Sequence, residues 1–263
     1  MPAYPVTALV LRKTKLGEAD TIVTLLSSEG AQIRAVAKGV RKTRSRFGAR
    51  LEPFTVVDLL LHTGRSLEIV TEARTVTSND AIRSDFDRMT AASVVADLLD
   101  KVTAEAEAEP VLFDMSLATL QAIGSASSRE LPALVAAFLL KAMSVLGLQP
   151  SIMRCARCAC AHEGDIAFSS EGGGVLCAVC ARMDETAVRI SSDVRTALHG
   201  LLSARMADVA AMEMPDEVAG ECLRLLRPFV VYHVPARLKA LQFLSDQLAS
   251  GAWPCVDPPA DVG

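Results

Sequence analysis

The stretch from residue 20 to residue 37, DTIVTLLSSEGAQIRAVA, predicts two short strands joined by a turn. Residues 20–27 are rich in Thr, Ile, Val and Leu, residues 32–37 alternate small apolar residues with Gln and Arg, and residues 28–30 (SEG) mark the turn. The same strand signal recurs over residues 5–11, 54–61 and 67–76. Five short strands within about 75 residues predict a small closed barrel of the OB type.

The hydrophobic period changes to that of a helix near residue 80. Residues 78–80 (SND) predict a helix N-cap, and apolar residues then recur at helical spacing up to Val102. Further helices are predicted over about 111–123, over 131–148, after a cap at 191–193, from 215, and over 224–248. The predicted fold class is therefore α+β and multidomain. An OB-type barrel covers residues 1–79 and an all-helical domain covers 80–263, with a disordered tail at 254–263 that is rich in Pro and Asp.

Composition narrows the class of protein. Of the 263 residues, 51% are hydrophobic, which excludes a disordered chain, and only 4% are aromatic, which predicts an aliphatic core. The first 30 residues lack a secretory leader pattern. The most apolar stretch, residues 131–148, contains Lys141 and predicts a buried helix rather than a membrane span. These features predict a cytoplasmic protein with reduced thiols and no membrane partner.

The charge is divided unequally along the chain. Residues 1–80 contain 12 Lys and Arg against 8 Asp and Glu, a net of +4, whereas residues 81–263 carry 15 against 23, a net of −8. This asymmetry predicts an anion-binding module joined to a module with a different partner.

Seven cysteines occur, and four of them form two C-x-x-C pairs separated by 18 residues. The pairs are Cys155 with Cys158, and Cys177 with Cys180. Each pair predicts a tight turn that aims two sulfurs at one ion, and the chain between them doubles back with help from the glycines at 172–174. The spacing predicts one structural Zn²⁺ within an insert at residues 152–183. Cys160 and His162 are spare donors, and either can replace one of the four.

A catalytic role is not predicted for this metal or for the chain. Four thiolates leave no position for water or substrate, no H-E-x-x-H occurs, and the four histidines are scattered. The chain also lacks a P-loop, a G-x-G-x-x-G after a strand and a G-x-S-x-G elbow. We therefore expect a protein that is not an enzyme.

A basic segment separates the third and fourth predicted strands. Between residues 34 and 50 there are seven cations and no acidic residue: Arg34, Lys38, Arg41, Lys42, Arg44, Arg46 and Arg50. Three further cations, Arg12, Lys13 and Lys15, follow the first strand and are predicted to join the same face. Such a cluster binds a polyanion by releasing its counterions, although on charge alone a nucleic acid and an acidic protein fit equally well.

Few aromatic residues accompany these cations. Phe47 is the one candidate for stacking on a base, and Phe54 is predicted to lie in the core. The segment therefore predicts binding that is dominated by the phosphate backbone and has weak sequence preference. Contact with about five to seven phosphates predicts a log–log salt slope for single strands near −4 to −5.

Several stretches resemble the RecO family of bacterial DNA repair proteins. The N-terminal stretches are residues 10–12 (VLR), 17–20 (GEAD), 23–27 (VTLLS), 37–42 (AKGVRK), 45–48 (SRFG) and 51–54 (LEPF), and those near the end are 232–233 (YH) and 241–244 (LQFL). The likeness covers nearly the whole chain and is most specific in the N-terminal block. In this family the four-cysteine site is present only in some members, which agrees with a structural role.

The resemblance implies a recombination mediator. Such proteins bind single- and double-stranded DNA, anneal complementary strands, and act with RecR to load RecA onto strands coated by single-stranded DNA-binding protein, so that a nucleoid-associated location is expected. The DNA contacts carry over onto Arg34, Lys38, Arg41, Lys42, Arg44 and Arg46. The family also binds the acidic, hydrophobic tail of single-stranded DNA-binding protein, and the expected pocket lies near Arg224, Arg227, Arg237 and Phe243.

Two alternatives stay open from the residues themselves. One is a zinc-ribbon regulator that reads duplex sequence. The other is a scaffold that binds no DNA and whose basic loop docks an acidic protein.

Overall fold

The computed structural model describes residues 3–40, 47–103, 108–161 and 166–254. Its first five strands form a closed barrel in the order β1-β2-β3-β5-β4. They are β1 Ala3–Leu16, β2 Asp20–Ser27, β3 Gln32–Ala37, β4 Val56–His62 and β5 Glu68–Thr77. Neighbouring strands are antiparallel except β3 and β5, which pair in parallel. The predicted five-stranded barrel is confirmed.

Strand β1 is longer than the sequence predicts because it pairs with two partners in succession. Residues 3–9 pair with β4 and residues 8–16 pair with β2. The register shifts between Val10 and Arg12, which marks a β-bulge. A bulge increases the local twist, so a single strand can serve both sides of the closed barrel.

The barrel interior is filled by aliphatic side chains from alternate strand positions. Val23 of β2 pairs with Ala35 of β3, and Leu25 pairs with Ile33, which is partly buried against the same core. On the opposite face of β1 and β2, Leu9 and Leu26 are buried as well. Both faces of these two strands are therefore covered.

Most of the chain after residue 80 is helical. The helices are α1 Asp80–Arg83, α2 Phe86–Val102, α3 Pro110–Ser125, α4 Leu131–Val145, α5 Ala178–Ala181, α6 Ser192–Ser203, α7 Met206–Val209, α8 Asp216–His233 and α9 Lys239–Ala249. Helix α4 is buried along nearly its whole length and contacts α6, α7 and α8, which confirms it as a core helix. Among the described residues, none of the helices has the length and apolarity needed to cross a bilayer.

The two predicted helix caps differ in outcome. The Oγ of Ser191 accepts a hydrogen bond from the N–H of Val194 (3.2 Å), which confirms the cap of α6. The prediction for residues 78–80 is wrong in its chemistry. Asn79 makes no side-chain cap bond, and its Nδ2 donates instead to the carbonyl oxygen of Phe54 (2.8 Å). The amide of Asn79 thus joins the end of the barrel to the loop before β4.

A small three-stranded sheet interrupts the helices. It consists of β6 Ile166–Ser169, β7 Gly174–Cys177 and β8 Val188–Ile190, in the order β7-β6-β8. The β6–β7 hairpin is the predicted turn-back of the cysteine insert. The third strand, β8, was not predicted, because three residues carry too short a pattern to recognise.

The chain groups into two compact units. One contains residues 1–84 with 96–120, and the other contains residues 85–95 with 121–263. The first unit therefore includes the barrel together with the second half of α2 and most of α3. The domain boundary predicted between residues 79 and 80 coincides with the change from strand to helix. It does not coincide with the division into these two compact units. Residues 255–263, most of the predicted tail, lie outside the described residues.

Candidate nucleic-acid interface and metal centre

The basic segment leaves the barrel at the end of β3. Gly39 has a positive φ of 69° and donates its N–H to the Oδ1 of Asp20 (2.8 Å), at the start of β2. This bond ties the beginning of the segment to the barrel. The sequence did not single out Asp20 for this role, because the contact joins residues on different strands.

Arg34 and Lys38 are exposed on either side of the end of β3. Neither forms an ion pair among the residues that the structure describes. Strand register places Arg34 opposite Thr24 and Thr24 opposite Arg12, so the two arginines share a face two strands apart, roughly 10 Å. Four of the predicted DNA contacts, Arg41, Lys42, Arg44 and Arg46, lie outside the described residues.

The cations that follow the first strand are largely paired. The guanidinium of Arg12 lies 3.6 Å from the buried carboxylate of Asp100, and the Nζ of Lys13 donates to Glu52 at 2.6 Å. Lys15 is exposed and makes no ion pair within the described ranges. Two of these three predicted DNA contacts therefore already have acidic partners on the protein, and neither Glu52 nor Asp100 was identified from sequence.

The predicted stacking role of Phe47 is wrong for this structure. A short 3-10 turn, Gly48–Leu51, follows Phe47, and the side chains of Phe47 and Leu51 both enter the barrel core. Phe47 is only 4% exposed, so its ring has no face available to a base. Phe47 thus contributes an apolar side chain from the connection between β3 and β4 to the barrel core. Arg50, on the same turn, is exposed. Phe54 is buried, as predicted.

The four predicted cysteines come together at one point. The sulfurs of Cys155, Cys158, Cys177 and Cys180 all lie within 4.8 Å of one another. The sulfurs of Cys158 and Cys177 are 3.9 Å apart. Zinc bound tetrahedrally at about 2.3 Å requires sulfurs about 3.8 Å apart, so the donor set and its spacing fit this metal.

Two turns present these sulfurs. In the first, the N–H of Ala159 donates to the carbonyl oxygen of Cys155 (2.8 Å) and the N–H of Cys155 donates to that of Cys160 (3.0 Å). In the second, β7 runs directly into α5, and the N–H of Cys177 points at the sulfur of Cys155 (3.4 Å). The cluster is therefore built from local backbone geometry that links both turns.

A glycine holds the first turn against the small sheet. The backbone of Ser151 exchanges hydrogen bonds with Gly173 and Val175, at 2.9 and 2.7 Å. Gly174 has a φ of 140°, and a Cβ atom there would lie 2.2 Å from the carbonyl oxygen of Ser151. Only glycine permits this close approach.

The surroundings of the cluster influence thiol ionisation in opposite directions. Burial disfavours the thiolate of Cys155, but the backbone N–H groups of Cys177, Cys158 and Arg157 outweigh it and lower the pKa of Cys155 to about 6. Burial, together with neighbouring sulfurs, raises the pKa of Cys180 to about 12. Amide donors thus stabilise the thiolate form that binds metal on the first turn.

Of the two spare donors, the structure describes only Cys160, and it is not one of the four clustered cysteines. Cys160 is exposed and lies outside the group of four, and interaction with Cys158 and Cys177 raises the pKa of Cys160 to about 12. His162 lies outside the described residues. Four sulfur ligands leave no open coordination position, so the site suits a structural metal and not a catalytic one.

Only two of the four residues predicted to form a pocket for an acidic tail line the same groove. Arg224 and Arg227 line a groove of about 830 Å³ beside Leu248 and Trp253, whereas Arg237 and Phe243 do not line it. Phe243 instead packs edge-on against Phe86, with ring centroids 6.1 Å apart.

The arginines of this groove already have acidic neighbours. Arg224 lies 3.0 Å from Glu221 and Arg227 lies 3.4 Å from Asp246. An acidic ligand in this groove therefore has to compete with carboxylates of the protein.

Comparison with known proteins agrees with this arrangement. Models described as the N-terminal and C-terminal regions of recombination protein O match residues 1–79 and 83–242. The chain belongs to the RecO family. A DNA repair protein RecO from Frankia casuarinae is 39% identical over 254 residues, covering 93% of this chain and 99% of its own. A second, from Nocardioides sp., is 37% identical over 243 residues, covering 90% and 97%.

Membership in the RecO family decides the general role. The chain is a DNA repair and recombination protein, and the family acts as a non-enzymatic mediator. It combines an N-terminal five-stranded barrel with a helical region that carries a four-cysteine cluster. The resemblance seen in the sequence is confirmed.

Proposed function

We propose that this chain binds single- and double-stranded DNA through backbone phosphates, anneals complementary strands, and helps to load RecA together with RecR. The observation that carries the proposal is the barrel in which Arg34 and Lys38 are exposed at the strand from which the basic segment leaves. RecO relatives named as DNA repair proteins support it. On this proposal the protein acts in the cytoplasm, at the nucleoid.

The mechanism follows from charge. Two DNA strands repel each other through their phosphates, and a cationic surface that holds one strand by its backbone lowers this repulsion and leaves the bases free to pair. Burial of Phe47 removes the one stacking ring expected in the basic segment. Because stacking would sequester bases, its absence here favours annealing over tight single-strand storage.

Salt dependence of binding tests the proposal. Contact with about five to seven phosphates predicts a slope near −4 to −5 for a single-stranded oligonucleotide. Reversing Arg41, Arg44 and Arg46 to Glu should abolish annealing and reduce the slope by about 2 while the circular dichroism spectrum is retained.

The matched control reverses three arginines outside the basic segment, Arg65, Arg195 and Arg205. It should anneal and bind like the natural protein. A slope close to zero, or unchanged annealing by the segment variant, contradicts the proposal.

We further propose that Cys155, Cys158, Cys177 and Cys180 hold one structural Zn²⁺. A module of about this size cannot bury a core of its own, so metal binding contributes directly to its folding. Elemental analysis should find one zinc per chain. Chelation should remove hydrogen-exchange protection from residues 151–190 and leave the barrel protected, and the Cys222→Ser variant, changed at a buried cysteine elsewhere, should retain its zinc. Persistent protection of the module after chelation contradicts this role.

The groove beside α8 and α9 is our candidate site for the tail of single-stranded DNA-binding protein. Arg224 and Arg227 lie beside apolar side chains there, which suits an acidic, hydrophobic peptide. Trp253 lines the groove and is the single tryptophan of the chain, so its fluorescence reports directly on occupancy. A synthetic tail peptide should change this emission, and the change should be lost in the Arg224→Ala, Arg227→Ala variant but kept in Arg205→Ala. Binding without a change in Trp253 emission places the tail elsewhere.

A further inference from the structure

The four-cysteine module displays apolar side chains to an unusual degree. Val179 is 69% exposed and Met183 is 63% exposed, which are the two highest values among the large hydrophobic residues that the structure describes. Met153 is 53% exposed. Exposed apolar side chains that lie close together mark interaction sites on protein surfaces.

These side chains are held near one another by the cysteine cluster. Val179 lies between Cys177 and Cys180, Met183 follows three residues after Cys180, and Met153 precedes Cys155 by two residues. Since the four sulfurs lie within 4.8 Å of one another, residues so close to them in sequence are confined to the two turns. The exposed apolar side chains thus lie on or beside these two turns, and we call the exposed surface of the two turns the knuckle face.

The knuckle face also carries exposed cations. Arg154, Arg157 and Arg182 occur on the same two turns, and Arg189 lies on β8, at the other edge of the small sheet from β7. None of them forms an ion pair within 4 Å among the described residues. Arg154 donates to the carbonyl oxygen of Ala159, and Arg157 acts on Asp184 only at longer range.

The residue types distinguish between classes of partner. Residues 150–190 contain no lysine, and the exposed positions that the structure describes there include four arginines, two methionines and two valines, against two acidic residues, Glu171 and Glu185. Protein interfaces are enriched in Met and Arg and depleted in Lys. A phosphate backbone offers nothing for Val179 or Met183 to contact, whereas a peptide with carboxylates next to apolar side chains satisfies both the cations and the apolar surface.

We propose that the knuckle face is a docking surface for a protein segment in which acidic and large apolar residues alternate. The cluster fixes the surface in place, so binding requires little ordering of the receptor. Methionine side chains adapt their shape to different apolar partners, which suits this role. The knuckle face shares no residue with the basic segment or with the groove at α8 and α9.

Peptide binding to the full-length protein tests the proposal. The probe is a fluorescein-labelled decapeptide of alternating Asp and Leu, compared with Asn–Leu and Asp–Ser peptides of the same length. Anisotropy should show binding of the Asp–Leu peptide that weakens with salt, and at least tenfold weaker binding of the other two. In the Arg224→Ala, Arg227→Ala background, which removes the cations of the groove, the Arg154→Glu, Arg182→Glu variant and the Val179→Ser, Met183→Ser variant should each lose at least tenfold in affinity.

Three measurements keep this result apart from the other proposals. The Arg205→Glu variant, changed at an exposed arginine that pairs with Asp208, should bind the peptide normally. Zinc content and oligonucleotide binding should be unchanged in the knuckle-face variants. The proposal is overturned if the Asp–Leu peptide does not bind at 1 mM by this assay, if the variants bind it normally, or if they lose DNA affinity instead, which would assign the arginines to nucleic acid.

Discussion

Replacement of Phe47 tests whether its ring packs in the barrel core or stacks on DNA bases. Its side chain is 4% exposed and lies with Leu51 in the barrel core. Removal of a buried phenylalanine ring costs about 3–5 kcal/mol, since apolar contacts are lost and a cavity remains. We therefore expect Phe47→Ala to lower the free energy of unfolding by about that amount. Phe47→Leu, which keeps most of the apolar volume, should cost about 1.5 kcal/mol or less.

Urea unfolding followed by circular dichroism measures these losses, and oligonucleotide affinity is measured where each variant is folded. Phe86→Ala is the control, because this ring is 45% exposed and packs edge-on against Phe243. Its loss should cost about 0.5–1.5 kcal/mol. Folded Phe47→Leu should bind single strands like the natural protein. A Phe47→Leu variant of normal stability that loses tenfold in affinity would show that the ring contacts bases and would refute the reasoning.

Three other substitutions test contacts described above. Gly174→Ala should speed zinc transfer to a colorimetric chelator, because the new methyl group collides with the backbone of Ser151. Glu52→Gln should free Lys13 and steepen the single-strand salt slope by about 0.7. Hydrogen bonds from Arg74 and Thr7 lower the pKa of Asp58, so this carboxylate stabilises the fold above its ordinary pKa of 3.8 and loses that effect as pH falls below it. Asp58→Asn should therefore flatten the fall in urea midpoint between pH 5 and pH 3.

Matched control variants accompany the first two substitutions, and a stated outcome would contradict the third prediction. Gly220→Ala, in the open part of α8, should leave zinc transfer unchanged, because no atom lies within 4 Å of the new methyl group. Glu221→Gln frees Arg224, which is not a residue of the barrel, and should not alter the salt slope. If the pH curves of Asp58→Asn and the natural protein run parallel, the hydrogen bonds to Asp58 do not contribute as described.

The barrel and the cysteine cluster were accessible from sequence because their signals are local. Residues 20–37 carry a period of two on either side of a turn, and this pattern alone predicts a hairpin. The two C-x-x-C pairs predict a four-sulfur site, because each pair is a turn whose geometry depends on four residues. The structure brings the four sulfurs together as the spacing required.

The sequence did not show which cations of the predicted DNA-binding face are unpaired, or whether Phe47 is exposed. The sequence predicts that Arg12 and Lys13 are available to bind DNA. In the structure Arg12 pairs with Asp100 on α2, and Lys13 pairs with Glu52 before β4. Phe47 sits among arginines in sequence, yet its ring fills the barrel. Whether a cation is free or an aromatic ring exposed depends on groups that arrive from distant parts of the chain.

The amino-acid sequence by itself determined the five barrel strands, the longer helices, the cysteine pairs and the family, since each depends on patterns within a few residues or on similarity along the chain. Tertiary structure alone decided which charges are neutralised, which aromatic rings are buried, and that Met153, Val179 and Met183 are exposed. The physical reason is that burial and ion pairing are properties of neighbours in space, and closing the barrel and gathering four sulfurs at one point are what make distant residues neighbours.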